Sequence, residues 1–389
     1  MSMSKSILVL CSSASTARIN GIARFASAHD WILMFESELS NPPHGWRGDG
    51  ALVTMKDTPA LRAFAAELRR AGIPAVNVSG QFAMPGMPAV CGDDAMTGRL
   101  AAEHFRDRRF RHVAWFSSKW GAVQEKRFSA FSEACRAFAD GEPARLVWSE
   151  NSASSATGWR PLAEWLGAAV RKAKRPLGIF AYSDYDASRV LNICRECRID
   201  VPGEVAILGV DDNRLICLNQ AIPLSSVNHN LERIGYAGAA LLERLTNGGS
   251  APKSPIRVPP QGITVRRSTD TVAAEHPDIR AAMAYIVSHL AEPIGSPQIA
   301  EKIGVSRLKL DRLFARELGT SVGREIARQR IVLGRHLLSG TGLSLSEIAK
   351  KAGYCNASHL ANTFHREFGE TPGSWRDANR TPNEVAEPC

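Results

Sequence analysis

Long apolar runs are missing from this 389-residue sequence. A membrane-crossing helix needs about 20 apolar residues in a row, and no stretch approaches that length. The first apolar run, Ile7 to Leu10, is also too short for a signal-peptide core. Cys11 follows it without small residues ahead, which argues against a lipid-attachment site. The chain is therefore expected to stay in the cytoplasm, with no membrane partner. Cysteine is sparse: eight residues are scattered along the chain, as expected of reduced thiols. Cys194 and Cys197 form the only CxxC, within a helical pattern and with no second ligand pair nearby, so neither a metal nor redox chemistry is expected there. Also absent are a glycine-rich phosphate loop, a nucleophile elbow, a base-partner pattern around Cys11 or Cys91, and a paired metal motif. These absences speak against an enzyme and leave no cofactor to expect.

What is present is an ordinary soluble composition, 44% hydrophobic and 22% charged, with a net charge of +9. A chain this long suggests two or three lobes. The charge is unevenly spread: Arg280 to Arg376 holds 14 Lys/Arg against 8 Asp/Glu, which suits phosphate contacts. That region contains a repeat. SPQIAEKIGVSRLKLDRLFARELGTSVG begins at Ser296, and SLSEIAKKAGYCNASHLANTFHREFGETPG begins at Ser344. Ile299-Ala300 answers Ile348-Ala349, Gly304 answers Gly353, Leu310 answers Leu360, and Phe314 answers Phe364.

Each copy has what a helix-turn-helix needs: a small residue for close approach, a glycine for the turn, and a capping residue, Ser306 or Asn356, to open the second helix. Leu310, Leu313 and Phe314, like Leu360, Phe364 and Phe368, recur at helical spacing and are expected in the core. The opposite faces carry Arg307, Leu308, Asp311 and Arg312 in one copy and Ala357, Ser358, His359, Asn362 and Arg366 in the other. Such helices fit the major groove, where Arg pairs with guanine, Asn with adenine, and Asp accepts from cytosine. Any single one of these charges also reads simply as a solvated helix face. A long helix from Arg324 to Leu338 joins the copies, with Ile326, Ile331, Leu337 and Leu338 available for burial.

The last hundred or so residues resemble the AraC-type DNA-binding domain, on Ser306 with Leu310 and Phe314, Arg330 with Leu337-Leu338, Gly353-Tyr354, Phe368-Gly369 and Thr371-Pro372. The resemblance implies double-stranded operator DNA as partner, a homodimer, and RNA polymerase as a further contact.

The front of the chain alternates short apolar strands with helices, which calls for parallel sheets covered on both faces. Two half-domains with a cleft between them fit the length. The stretch PLGIFAYSDYDASRVLNICRECRIDVPGEVAILGVDD, followed by PLSSVNHNLERIGYAGAALLERLTNG, resembles the periplasmic-binding-protein-type sensor of LacI-type repressors. The fold expected is thus an α/β two-lobed sensor over residues 1–270, a linker at 271–278, an all-α double helix-turn-helix domain over 279–380, and a disordered tail at 381–389. GWRGDGALV near residue 50 and VPPQGITVRRSTD at Val258 to Asp270 resemble segments of sugar-operon regulators. They imply a small sugar effector, D-xylose or another pentose.

In such a sensor, polar residues at strand ends hydrogen-bond sugar hydroxyls. Arg127, Asp184 and Asp211 are the leading candidates by position, then Ser183 and His229, with Trp120 to stack on a sugar face. The alternatives are that Asp184 caps a helix, Asp211 orders a loop, and Trp120 packs between lobes.

Overall fold

Four short apolar runs build the first sheet. In the computed structural model, which describes residues 4–12, 16–151, 158–274 and 276–379, these strands lie in the order Trp31–Glu36, Lys5–Leu10, Gly50–Val53, Ala75–Asn77, all parallel. Side chains alternate across a strand, so Ile7 and Val9 face the helices Thr16–Ser27 and Leu231–Thr246. Leu8 and Leu10 face Leu61, Phe64 and Leu68 of the helix Pro59–Arg70 on the other side. That helix starts where the sequence allows: Thr58 accepts the N–H of Leu61 at 3.3 Å, and Pro59 has no N–H to lose. Gly235 lies inside the helix Leu231–Thr246. A Cβ there would stand 2.0 Å from the Arg18 carbonyl, and one on Gly21 would stand 1.9 Å from that of Glu232, so the two helices touch backbone to backbone.

These elements belong to the first of two units, Met1–Thr97 with Gly121–Arg127 and His229–Pro260. The second comprises Gly98–Trp120, Phe128–Asn228 and Gln261–Cys389. Its six-stranded sheet runs Gly262–Thr264, Ser225–Asn228, Val205–Val210, Leu177–Ala181, His112–Ser117, Ala144–Val147, parallel except for the first pair. One face packs Ile179, Ala181 and Ile207 on the helices Trp159–Lys172 and Asp184–Glu196. The other packs Trp115, Phe180 and Leu208 on Phe105 and Phe131.

Trp148 opens the short helix Trp148–Asn151. Arg127 sits inside the helix Ala122–Cys135. The polar stretch after Arg266 makes a single 3-10 turn, Arg267–Thr269, in which Ser268 and Thr269 are fully covered. Ser268 takes the Ser225 N–H at 2.8 Å and gives its own hydrogen to the Ile207 carbonyl at 2.6 Å. Hydroxyls so paired lose the penalty that would keep them at the surface. The expected tail at 381–389 lies outside the described residues.

The C-terminal portion is helical, and its repeat is a repeat of structure. Ser296–Ile303 and Arg307–Leu318 form one helix pair, Leu345–Lys351 and Ala357–Phe368 the other. Gly304 and Gly353 make the turns at φ of 71° and 76°, and residues 311–320 and 361–370 show the same sequence of buried and exposed positions. The helix Val322–Gly340 joins the pairs. Val322 and Ile326 pack in the first core, Ile331 and Leu338 in the second.

Candidate functional site

In the second helix of each pair, buried leucine and phenylalanine fix which face looks outward. Leu310, Leu313 and Phe314 are buried, as are Leu360 and Phe364, while Phe368 is half-buried. The outward face of Arg307–Leu318 presents Arg307, Leu308 and Arg312, all exposed, with Leu308 at 59%. Asp311 is partly covered, accepting from the Ser296 hydroxyl at 2.7 Å and lying 3.6 Å from Arg307. In Ala357–Phe368 the exposed residues are Ser358, His359, Asn362 and Arg366, with Ala357 half-buried. The His359 ring stands edge-on to Tyr354 at 5.2 Å, and the His359 backbone N–H donates to Asn356 Oδ1 at 2.8 Å, closing the expected cap. Ser306 likewise accepts from Lys309 at 3.2 Å. Lys309 and His365 share these outward surfaces, and the sequence reading passed over both.

In the first unit, strand Val90–Gly92 ends at Asp93-Asp94. Asp93 caps the next helix by accepting the Met96 N–H at 2.8 Å, leaving Asp94 for the interior. There Arg127 donates to Asp94 at 2.7 Å, with both side chains almost wholly buried. His229 stands 3.7 Å from the same carboxylate, with Thr97 3.0 Å from its other ring nitrogen. Burial, with Arg127 and then Arg18 adding to it, holds the His229 imidazole well below its usual range, so it is neutral. Two of the expected residues, Arg127 and His229, thus meet around an aspartate the sequence reading left out. Its signal was the strand-end position.

The second unit has its own cluster. Ser183 caps the helix Asp184–Glu196, accepting the Asp186 N–H at 3.2 Å, so Ser183 rather than Asp184 does the capping. Asp184 is 1% exposed and accepts from the Ser226 hydroxyl at 2.6 Å and the Asn213 N–H at 2.7 Å. Burial, then the charge of Asp211, pushes its carboxyl up to about 7. Asp211 follows strand Val205–Val210 with φ of 103°, a strained setting for a residue with a Cβ. Asp212 beside it pairs with Arg266 at 2.7 Å. Asp186, absent from the sequence candidates, is also buried, accepts from Ser118, and is raised chiefly by burial. Trp120 stands edge-on to Trp115 and Phe128 at 6.4 and 5.8 Å, with the Arg145 guanidinium 4.5 Å over its ring.

Among the described residues, no group of three or more His, Cys, Asp or Glu is placed to hold a metal ion, and no helix is long and apolar enough to cross a membrane.

Residues 102–269 match the periplasmic binding protein-like domain family, and 299–378 match a helix-turn-helix domain. The xylose operon regulatory protein of Escherichia coli is 26% identical over 380 residues, covering 93% of each chain. That of Haemophilus influenzae is 25% identical over 92% of this chain and 94% of its own. Among solved structures, that of a xylose-binding transcription activator superposes with a TM-score of 0.62 at 24% identity, over 98% of this chain and 100% of the other. These relatives are regulators, not enzymes.

Proposed function

Because this chain is an AraC-type transcriptional regulator with a periplasmic-binding-protein-like sensor, we propose that it controls a sugar-utilisation operon in the cytoplasm. Its effector is a small sugar, D-xylose in the first instance. Residues 1–270 form the sensor and 279–380 the DNA-binding domain, with 271–278 between them. The observation that carries the DNA half is the pair of outward polar faces fixed by one helix. At 1.5 Å per residue, the 19 residues of Val322–Gly340 span about 28 Å, comparable to the roughly 34 Å of one turn of duplex. Arg307, Leu308, Asp311 and Arg312 of one helix, and Ala357, Ser358, His359, Asn362 and Arg366 of the other, read the operator.

The sugar half rests on polar side chains gathered near strand ends: Asp94 with Arg127 and His229, and Asp184 with Asp211 and Ser183. Carboxylates and guanidinium groups of this kind hydrogen-bond vicinal hydroxyls, and a ring such as Trp120 offers a stacking face. Two copies act together on paired half-sites, with RNA polymerase as a further contact.

Two measurements test this reading. Arg312→Ala or Asn362→Ala weakens binding to duplex from the chain's own upstream promoter by about 1–3 kcal/mol and relaxes preference at one base. A footprint unchanged in both moves the base-reading role elsewhere. Asp211→Ala abolishes the heat of D-xylose binding in calorimetry and leaves promoter affinity near normal; retained sugar binding removes Asp211 from the site.

A further inference from the structure

The helix Asp94–Asp107 ends in three consecutive charged residues, Asp107, Arg108 and Arg109, and all three are committed. The end itself is a Schellman turn. The Phe110 N–H bonds the Phe105 carbonyl at 3.0 Å, which places Arg109 at the left-handed position, with φ of 62°. Glycine is the default there, and Gly304, Gly319 and Gly369 hold equivalent positions elsewhere in this chain. An arginine in that conformation is strained, so something else must hold it.

Its side chain supplies the reason. Arg109 donates to the Leu318 carbonyl at 2.8 Å, the last residue of the first reading helix, and to Glu325 at 2.6 Å on the linking helix. A cation at a helix C-terminus satisfies its free carbonyls and its dipole. Glu325 is fully buried and also accepts from Arg328 at 2.7 Å and Gln329 at 2.8 Å. Arg328 in turn donates to the Asp107 carbonyl at 2.7 Å, and Arg335 pairs with the Asp107 carboxylate. The linking helix is thus gripped at three arginine or glutamate positions by one turn of the sensor lobe.

The same turn is tied backwards. Arg108 donates to the Thr269 carbonyl at 2.8 Å, and His104 lies 2.9 Å from the Thr269 hydroxyl. That hydroxyl donates to Ser225 at 2.7 Å, and the next residue on the strand, Ser226, is the partner of Asp184. Each of these groups is buried, where an unmade hydrogen bond is expensive, so a change at Asp184 is felt along the chain of partners.

We infer that the turn Asp107–Arg109 is the contact through which the state of the sensor lobe reaches the DNA-binding domain, with Arg109 the positioning residue for the first reading helix. The inference rests on the reading that one chain binds both sugar and DNA, and it adds the route between them. Arg109→Gly is the discriminating change, because glycine relaxes the turn and removes only the side chain. The full-length variant is expected to melt at the same temperature as the parent or above it. Its amides from residue 314 to 330 exchange hydrogen faster without any ligand, and Arg109→Lys, which keeps the charge but not the two-pronged geometry, is intermediate. In titrations of promoter duplex, the response to D-xylose, expected at about 5- to 150-fold for a coupled pair of sites, falls to about 2-fold or less, while D-xylose still binds the variant. Unchanged exchange in Arg109→Gly, or an undiminished sugar response, overturns the inference. A parent protein whose promoter affinity ignores D-xylose counts against the proposed effector instead, and the exchange measurement still decides the role of the turn.

Discussion

Replacing Asp184 by Asn should stabilise the protein at alkaline pH and leave it nearly unchanged in acid. The carboxyl is 1% exposed, and burial together with the charge of Asp211 raises it from an ordinary 3.8 to about 7. A carboxyl raised in the folded state binds its proton there more tightly than in the unfolded chain. Stability is therefore greatest at low pH, declines as pH climbs from about 4 to about 7, and then levels off. At about 1.36 kcal/mol per pH unit, the interval amounts to at most about 4 kcal/mol, less what local relaxation recovers. An amide reproduces the protonated form. Its oxygen accepts the Asn213 N–H, and its NH2 group donates to the Ser226 oxygen, taking up both contacts now made at 2.7 and 2.6 Å. Urea unfolding of parent and variant, without ligand, at pH 4.5 and pH 8 reads the difference, because every other titrating group is common to both. The expected gain is at most about 1 kcal/mol at pH 4.5 and up to about 4 kcal/mol at pH 8. An Asn variant that is less stable by the same amount at both pH values would refute the claim that a strained, buried charge resides at Asp184.

Two further expectations follow from burial and close approach. Arg127→Ala leaves the Asp94 carboxylate buried without its cation, which should destabilise the first unit by about 3–5 kcal/mol in denaturant titration; a loss below about 1 kcal/mol would place Asp94 in water instead. Gly353→Ala puts a methyl group 1.9 Å from the Leu290 carbonyl at φ of 76°, so the second helix pair should lose protection in hydrogen exchange while the four-stranded sheet keeps its own.

The repeat was legible because everything that defines it is local. Ser306 and Asn356 cap helices three residues onward, Gly304 and Gly353 turn the chain within two residues, and Leu310 and Phe314 repeat within one helical face. The alternation of apolar strands and helices was legible for the same reason. What the sequence could not display was which charges meet. Asp94 finds Arg127 33 residues away, Asp184 finds Ser226 at 42, and Arg109 finds Glu325 at 216. Nor does composition show that Ser268 and Thr269 are buried with partners supplied by the fold. Polar residues whose partner lies within a helical turn are legible from sequence, and those whose partner is brought in by the fold are not.

The linking helix shows how local and distant determinants combine. Its apolar residues are divided between two cores, with Ile326 in the first and Ile331 and Leu338 in the second, so neither helix pair can shift along it without exposing buried surface. That division fixes the spacing of the two outward polar faces. Its polar residues Glu325, Arg328 and Arg335 lie on a remaining side and are spent on the sensor lobe rather than on solvent. A helix meant only to space two modules has no use for buried carboxylate and guanidinium groups, which are costly to desolvate unless paired. Their presence makes this helix the element at which three packed bodies meet. A movement of the Asp107–Arg109 turn would therefore act on both helix pairs together, because both are built on the one helix it holds.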